Sequence, residues 1–282
     1  MKPFHQLLKE NKTVVIVGVF NTASALLAKK VGFEAIYLSG SGIATGCFGL
    51  PDLGMTTLDD VVCETKRITS VETLHATSLL VDTDTGFGDE VETVMKLESA
   101  GAAGIHLEDQ VFPKRCGHRS GKEVIPAEEM IKKIENAKKA RTNSDFFIIA
   151  RVDSRNVIGF DDALERAKKY QDSGVDAIFA EALESKDEYK KFVDSLKIPV
   201  LANMTEFGRT PYISVPEFES LGVKMVLFPL TAFRIMMKSV EETYQVIKKE
   251  GTQKSILNHM QTRDELYRLL NYYEAEGKIK SL

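Results

Sequence analysis

The stretch SLLVDTDTGFGDEVETVMKLESAGAAGIHLED, residues Ser78–Asp109, shows the pattern that decides the fold. Its two ends, SLLVDTD (78–84) and AGIHLED (103–109), are short and rich in apolar side chains, which is typical of strands buried on both faces of a parallel sheet. The segment between them, DEVETVMKLESAG, has helical periodicity and ends on Gly101, and glycine is a common helix stop. The stretch therefore predicts a strand, a helix and a second strand parallel to the first.

The same alternation recurs along the whole chain. Segments of helical period separate eight apolar runs, which cover residues 13–20, 34–40, 78–84, 103–109, 146–153, 176–182, 199–206 and 224–230. Eight strands alternating with helices predict a single (β/α)8 barrel, an α/β fold of the TIM type. The rival is a doubly wound open sheet, which would show about six strands and a glycine-rich phosphate-binding turn after the first. Here the first run ends in GVFNT (18–22), without the G-x-G-x-x-G pattern.

The helical segments carry recognisable ends. Gly32, Gly174 and Gly251 follow three of them, Thr57 starts another as a cap, and Pro126 takes the favoured first helical position of a fifth. We expect one barrel domain over residues 1–282, in which residues from about 252 to 282 form a C-terminal helical extension. Apolar positions in this extension need a partner surface, which indicates packing between subunits: Ile256, Met260, Leu266, Leu269, Leu270 and Tyr273.

Composition and charge argue against several classes of protein. Apolar residues make up 43% and charged residues 28% of the chain, and the net charge of −4 argues against a nucleic-acid-binding face. The chain has no run of 18 apolar residues that would span a membrane, and its start lacks the features of a secretory signal. The three cysteines are scattered without a C-x-x-C pair, so we expect no disulfide framework, no structural zinc site and a reducing, cytoplasmic location.

Acidic residues end two neighbouring strands, where the active sites of barrel enzymes lie. Asp82 and Asp84 are two residues apart and leave an extended strand on the same side. The next strand ends with Glu108 and Asp109, whereas His106 in its middle is expected to lie in the core. Burying several carboxylates together is costly without a cation, and oxygen ligands suit Mg²⁺ or Mn²⁺. The pattern predicts a divalent-cation site; the alternative is a solvated turn in which the aspartates are caps.

The remaining strand ends supply groups that would bind an anionic substrate. Strand five ends with Arg151 and Asp153, and an arginine grips carboxylates bidentately. Strands six and seven end with Glu181, Asn203, Thr205 and Glu206. Either an anion-binding backbone or a simple tight turn is expected after strand two, at Ser39, Gly40, Ser41 and Gly42. The loop that follows holds Asp52, a candidate catalyst or a turn cap.

The loop after strand four is long, basic and glycine-containing, and it reads PKRCGHRSGKE over residues 113–123. These features predict a mobile lid over an anionic site. Cys116 stands in the loop among cationic neighbours, a setting that lowers the pKa of a thiol toward thiolate; an unreactive surface thiol is the alternative. The lid residues beside it are Lys114, Arg115, His118 and Arg119.

Several motifs together resemble one family, the isocitrate lyase/phosphoenolpyruvate mutase superfamily. They are YLSGSG, GLPDLG, VDTDTGFG, GIHLEDQ, KRCGHR with Lys122 after it, NMTEFG, and EGTQKS with MQTR. The resemblance runs from about residue 5 to residue 275, and the cysteine-containing KRCGH loop is the specific signal of the lyase branch. Two positions depart from the family pattern, Ser41 where glycine is common and Ser120–Gly121 after the lid motif. Both departures bear on substrate choice.

The resemblance implies a magnesium-dependent carbon–carbon lyase. The expected reaction is the cleavage of a small tricarboxylate, (2S,3R)-2-methylisocitrate, to pyruvate and succinate in the methylcitrate route of propionate breakdown. The resemblance makes Cys116 the thiol that protonates the succinate carbanion, and it leaves Asp52 or a group on the metal as the base. Mg²⁺, or Mn²⁺ in its place, would bind at Asp82 and Asp84 near Glu108.

The resemblance also implies how substrate is bound and how subunits assemble. Ser39, Gly40 and Ser41 with Arg151 would hold the pyruvate part. The succinate part or the closed lid would be bound by Gly117, Glu181, Asn203, Met204, Thr205, Arg234 and Arg263, with Cys116 also in contact. A homotetramer with exchanged C-terminal helices is expected. Isocitrate and 2,3-dimethylmalate stay open as substrates, and a catalytically silent carboxylate-binding barrel stays open as a different class of function.

Overall fold

The computed structural model describes residues 1–280, and their first part is a closed barrel of eight parallel strands. The strands are β1 Val14–Val19, β2 Ala35–Leu38, β3 Ser78–Asp82, β4 Gly104–Glu108, β5 Phe147–Val152, β6 Ala177–Ala180, β7 Val200–Asn203 and β8 Met225–Phe228. Neighbouring strands are consecutive in the chain, and β8 pairs with β1 to close the ring. One strand lies inside each of the eight apolar runs, so the predicted (β/α)8 barrel is confirmed.

Helices alternate with the strands and continue along the chain after the last strand. They are α1 Phe4–Glu10, α2 Thr22–Val31, α3 Gly40–Phe48, α4 Leu58–Thr69, α5 Glu90–Ser99, α6 Ala127–Ala140, α7 Phe160–Asp172, α8 Lys186–Ser195, α9 Val215–Leu221, α10 Thr231–Glu250, α11 Arg263–Leu269 and α12 Tyr272–Lys280. Short 3₁₀ helices cover Glu72–Leu74, Ser154–Asn156 and Lys254–His259. Because every strand runs parallel to its neighbours, all eight carboxyl ends meet at one rim.

Both faces of the sheet are buried, which explains why the strands read as apolar runs. Ile16, Phe147 and Leu201 belong to one buried cluster, and Val81 and Ile148 belong to a second, larger one that includes helix residues. Every residue of β3, β4 and β5 is buried. Strands packed on both faces are rigid, so the side chains at their ends are held in fixed positions.

The helix ends largely follow the sequence signals. Thr57 and Asp60 form a capping box at the start of α4, and Gly32 ends α2 with a φ of +103°. Gly251 follows α10 and donates to the carbonyl of Ile247. Pro126 differs slightly, because it precedes α6 as the capping residue instead of being its first residue.

The segment after β2 differs from the tight turn that was one expectation for it. The chain forms helix α3 from Gly40, and the side chain of Ser39 caps this helix by accepting a hydrogen bond from the Gly42 N–H at 3.2 Å. The sequence does not predict this helix, because its glycines have low helical propensity. Burial of Ile43 and Ala44 stabilises it instead.

Residues from 232 onward form a second compact unit. Within it Tyr267 stacks on Tyr272 with ring centroids 4.1 Å apart. Exposed apolar side chains of this unit include Ile235, Tyr244, Leu270, Tyr273 and Ile279. The expected division, one domain over 1–282 with an extension from about residue 252, stays a prediction, and residues 281–282 lie outside the described part. Within residues 1–280 none of the helices has the length and apolarity that a membrane crossing requires.

Candidate active site

The carboxyl ends of the strands surround a cavity of about 60 Å³. The predicted site residues that line it are Ser39, Ser41, Asp52, Asp82, Cys116, Gly117, Arg151, Glu181, Asn203 and Thr205, together with Lys114, Arg115 and His118 of the lid. Residues that sequence reasoning missed also line it, namely Tyr37, Phe179, Leu227, Pro229 and Leu230. No sequence feature marks these residues as part of a site, because each looks like an ordinary member of an apolar run. The cavity has room for on the order of four or five waters, so the protein's own side chains nearly fill the mouth.

Some predicted substrate-binding residues lie outside this lining. The Met204 sulfur accepts a hydrogen bond from the Ile213 N–H at 3.3 Å and is buried. Arg234 lies in α10 and Arg263 begins α11, both in the second unit. The contact of these arginines with substrate therefore stays a prediction.

Asp82 and Asp84 stand side by side at the end of β3. Asp82 accepts hydrogen bonds from the backbone N–H groups of Gly40, at 3.0 Å, and of Asp84, at 3.1 Å. Oδ1 of Asp84 lies 2.8 Å from Nζ of Lys114, which also contacts Asp52. Burial raises the pKa of Asp84 to about 6, against the opposing effect of Lys114. An additional positive charge beside Asp82 and Asp84 is therefore favoured.

The pKa of Asp82 remains below its usual range, although burial by itself would raise it. The charges of His106, Lys114 and Arg151 act against burial. Near neutral pH, His106 contributes little to the lowered pKa of Asp82, because burial lowers the pKa of His106 to about 4 and leaves its ring uncharged. His106 is fully buried, as expected of a core histidine, and its Nε2 lies 2.9 Å from the Tyr37 hydroxyl and 3.3 Å from Asp82. Lys114 and Arg151 are thus the cations that keep Asp82 ionised.

Glu108, at the end of β4, is buried and only half paired. Its Oε2 lies 3.3 Å from Nη1 of Arg151, whereas its Oε1 has no hydrogen-bond partner among residues 1–280. Burial raises the pKa of Glu108 well above its usual value. A buried carboxylate oxygen without a partner calls for a proton or a cation.

The donor set fits Mg²⁺ bound with water better than a cage made only of protein ligands. In the described chain, residues 1–280, no group of three or more His, Cys, Asp or Glu side chains is arranged to hold a metal together. Mg²⁺ commonly binds through one or two carboxylates and keeps several waters, which Asp82 and Asp84 with Glu108 near them can satisfy. Carboxylates also outnumber cations around the mouth, with Asp52, Asp82, Asp84, Glu108, Asp153 and Glu181 facing Lys114, Lys122 and Arg151. An anionic substrate would therefore bind more tightly with an added cation.

A buried ion network holds Arg151. Its Nε donates to Oδ2 of Asp153 at 2.9 Å, and its Nη2 donates to Oδ1 at 3.1 Å. Lys122 donates to the same Oδ1 at 2.7 Å. The guanidinium carbon also lies 5.1 Å from the centre of the Phe179 ring. These contacts fix the guanidinium before any ligand arrives, and such preorganisation favours carboxylate binding.

Asp109 does not join the acidic group that the sequence predicted for a cation. Its Oδ2 accepts hydrogen bonds from the Tyr170 hydroxyl at 2.8 Å and from Arg166 at 3.2 Å, and its Oδ1 accepts from the Asp153 N–H at 2.8 Å. Residues adjacent in a strand point to opposite sides, so Glu108 and Asp109 diverge. Asp109 instead connects the ends of β4 and β5 through these hydrogen bonds, on the side away from Glu108.

The segment from 111 to 123 lies across the mouth as a lid. Gln110 and Val124 pair in antiparallel fashion at its base. A Cβ atom on Gly117 would lie 2.2 Å from Oε1 of Glu181 and 2.4 Å from Nη2 of Arg151. Only glycine lets the lid backbone approach these two side chains so closely. The lid is thus seated on the barrel, and its mobility stays a prediction.

The Cys116 thiol does not have the low pKa that its cationic sequence neighbours predicted. Although the residue has exposed surface, desolvation by the side chains around it raises its pKa, and the opposing influence of the His118 backbone and of Arg151 is smaller. Lys114, one of the lid cations, pairs with Asp84 instead of the thiol. Cys116 lines the cavity, and near neutral pH it is a protonated thiol. Such a group can donate a proton to a carbanion, whereas a thiolate could not.

Comparisons with known proteins agree with this geometry. A family model described as phosphoenolpyruvate phosphomutase matches residues 4–248. The 2-methylisocitrate lyase of Escherichia coli (strain K12) is 47% identical over 285 residues, covering 100% of this chain and 95% of the relative. The protein of the same name from Aeropyrum pernix is 48% identical over 276 residues, covering 97% and 88%. Two solved structures are also similar. One is 2,3-dimethylmalate lyase (TM-score 0.90, 31% identity, 97% and 92% covered). The other is phosphonopyruvate hydrolase in complex with oxalate and Mg²⁺ (TM-score 0.84, 26% identity, 97% and 95% covered).

Proposed function

The chain belongs to the phosphoenolpyruvate phosphomutase family, and from this premise we propose that it cleaves 2-methylisocitrate to pyruvate and succinate. Full-length similarity to 2-methylisocitrate lyases supports this substrate over 2,3-dimethylmalate, whose lyase is less similar in sequence. The reaction serves the methylcitrate route of propionate breakdown.

The observation that carries the proposal is the position of the Cys116 thiol, whose pKa is raised, in the same cavity as Arg151 and Ser41. A carbon–carbon lyase that releases succinate must protonate a carbanion, and the thiol is an acid placed for that step. Arg151 and the α3 N-terminus would hold the carboxylates, because both present N–H groups to an anion.

The residues divide the reaction between them. A base takes the proton of the C2 hydroxyl, and Asp52, which lines the cavity and contacts Lys114, is the candidate. The electron pair of the C2–C3 bond moves to C3, so that pyruvate forms and the succinate carbanion takes the proton of Cys116. Glu181 and Asn203, joined by a 3.1 Å hydrogen bond, would bind the succinate half.

Mg²⁺ is the proposed cofactor, with Mn²⁺ as a substitute. The similar phosphonopyruvate hydrolase was solved in complex with oxalate and Mg²⁺, and Asp82 and Asp84 would supply the oxygen ligands here. When bound, the metal would supply positive charge next to the hydroxy-acid end of the substrate. It would also offset the excess of carboxylates at the mouth.

A pyruvate-release assay tests the proposal. The protein is incubated with Mg²⁺ and with 2-methylisocitrate, isocitrate or 2,3-dimethylmalate in parallel, and succinate is measured as well. We expect the highest kcat/KM with 2-methylisocitrate. Faster release of succinate from isocitrate would reassign the substrate. Absence of turnover with all three would refute the lyase, and ligand-induced thermal stabilisation without turnover would indicate a silent carboxylate-binding barrel.

We further propose that the protein is a cytoplasmic homotetramer in which C-terminal helices contact neighbouring copies. The second unit supports this, because α11 and α12 bury none of their residues and expose Leu270, Tyr273 and Ile279. Several large apolar side chains exposed on one unit are what a subunit contact would cover. Sedimentation velocity should give the mass of four chains; a monomer at micromolar concentration would contradict the assembly.

A further inference from the structure

The loop between β7 and α9, residues 204–214, contacts the lid at His118. Nδ1 of His118 accepts a hydrogen bond from the backbone N–H of Arg209 at 2.9 Å, and Nε of Arg209 lies 3.4 Å from the His118 carbonyl oxygen. Nε2 of the same ring lies 3.2 Å from Oε1 of Glu181. The His118 side chain is 6% exposed. The ring is therefore enclosed between a backbone donor and a carboxylate.

The contact with Arg209 determines the tautomer of His118. A backbone N–H can only donate, so Nδ1 must be the acceptor and the proton of the neutral ring is on Nε2. Nε2–H then lies near Glu181, although Nε2 makes no hydrogen bond within residues 1–280. Burial lowers the pKa of His118, which agrees with an uncharged ring near neutral pH.

Gly208 permits this arrangement. A Cβ atom at residue 208 would lie 2.6 Å from Nδ1, 2.9 Å from Cε1 and 3.1 Å from Cγ of the His118 ring. The φ of Gly208 lies outside the left-handed region, so an alanine could adopt the same backbone conformation. Residue 208 must lack a side chain because the lid approaches it closely, and not because the turn requires a left-handed backbone conformation.

We propose that Gly208 and the backbone N–H of Arg209 are positioning residues that form a seat for His118 and hold the lid against the barrel, with Nε2 of His118 beside Glu181. The effect of this seat on turnover rests on the proposed lyase function, whereas its effect on the lid does not. The seat gives a role to Gly208, the last residue of the NMTEFG segment.

The first experiment compares Gly208→Ala with the matched control Gly277→Ala. Gly277 also lies outside the left-handed region, and an added Cβ there would meet nothing within 4 Å. Limited trypsin digestion reports on the lid, because Arg115 and Arg119 are exposed cleavage sites within it. We expect Gly208→Ala to be cut about tenfold faster than wild type, with kcat lowered about 10- to 100-fold and KM changed less than about threefold. The control should match wild type in both measurements.

A double-mutant comparison separates the seat from a general structural effect. In a His118→Ala background the added Cβ has no ring to meet, so Gly208→Ala should change the digestion rate less than about twofold. Equal acceleration in both backgrounds, or none in the wild-type background, would overturn the seat. If the wild type cleaves no substrate, the proposed function fails, and the digestion rates still decide the inference.

A second pair of variants covers the case in which Gly208→Ala does not fold. His118→Asn keeps an acceptor at the Nδ1 position, whereas His118→Gln places its amide at the Nε2 position. We expect the lid of His118→Asn to stay protected within about threefold of wild type and that of His118→Gln to be cut about tenfold faster. The reverse order of protection would show that the Arg209 N–H does not hold the ring.

Discussion

Replacing Lys122 by methionine would remove a buried ammonium and leave the Asp153 carboxylate without one of its partners. The atoms Nζ and Oδ1 are 2.7 Å apart, and the two side chains are 1% and 0% exposed. At an effective dielectric of about 20, Coulomb's law gives a gross attraction of about 6 kcal/mol at this separation. Desolvation of the ammonium offsets part of it, and Arg151 still neutralises Asp153 through two hydrogen bonds. We therefore expect the free energy of unfolding to fall by about 2–4 kcal/mol.

Urea unfolding at one fixed protein concentration, followed by circular dichroism, measures this change. Lys186→Met is the matched control, because Lys186 pairs with Glu217 at 2.6 Å but the side chains are 50% and 46% exposed. The control removes an equally short ion pair from solvent-screened surface, so its unfolding midpoint should stay near that of wild type. The reasoning is refuted if Lys122→Met lies within about 0.5 kcal/mol of wild type, which is the range of ordinary surface substitutions. Equal effects of the two substitutions would show that burial does not strengthen this pair.

Three further predictions concern turnover. Cys116→Ser should lower kcat by about 10²- to 10⁴-fold with an unchanged urea midpoint, and near-normal kcat would remove the thiol from the mechanism. Because the pKa of Cys116 is raised, the cleavage rate of wild type should hold from neutral to mildly alkaline pH and fall once the thiol loses its proton; a rate that rises through that alkaline range would make the thiolate the active form. Chelation of divalent cations should abolish pyruvate release and Mg²⁺ should restore it, whereas turnover unaffected by chelator would contradict a metal at Asp82 and Asp84.

The fold could be predicted almost completely because its strands are buried on both faces. This burial makes β3 and β5 apolar along their length, and the alternation with helices then determines a barrel. Helix α3 could not be predicted, because its glycine-rich sequence has weak helical propensity and its stability comes from the Ser39 cap and from buried neighbours. Tertiary contacts override local propensity there.

The sequence could predict which residues form the candidate site, but not which of them pair with one another. Strand ends meet at one rim in any such barrel, which is why Asp82 and Arg151 line one cavity. Asp109 was misassigned, although the alternation of side chains along β4 already separates it from Glu108. The sequence left a thiolate and an unreactive thiol open at Cys116 and could not predict the raised pKa, because closeness in sequence is not closeness in space. Lys114 and Lys122 bind carboxylates of other elements, which only the folded chain brings near.

The base of the lid is held by backbone hydrogen bonds, so the other contacts of the lid can be weak. Val111 donates to the Glu123 carbonyl at 2.9 Å, and Ile125 donates to the Asp109 carbonyl at 2.9 Å, so the two ends of the lid are pinned together. The tip can therefore never diffuse away, and it meets the barrel at the high effective concentration of a short tether. Most of the entropy of bringing the two surfaces together is already lost on folding. The hydrogen bond at His118 and the ion pairs of Lys114 can then hold the lid in place although they are few, and the predicted opening of the lid would require breaking only these few contacts.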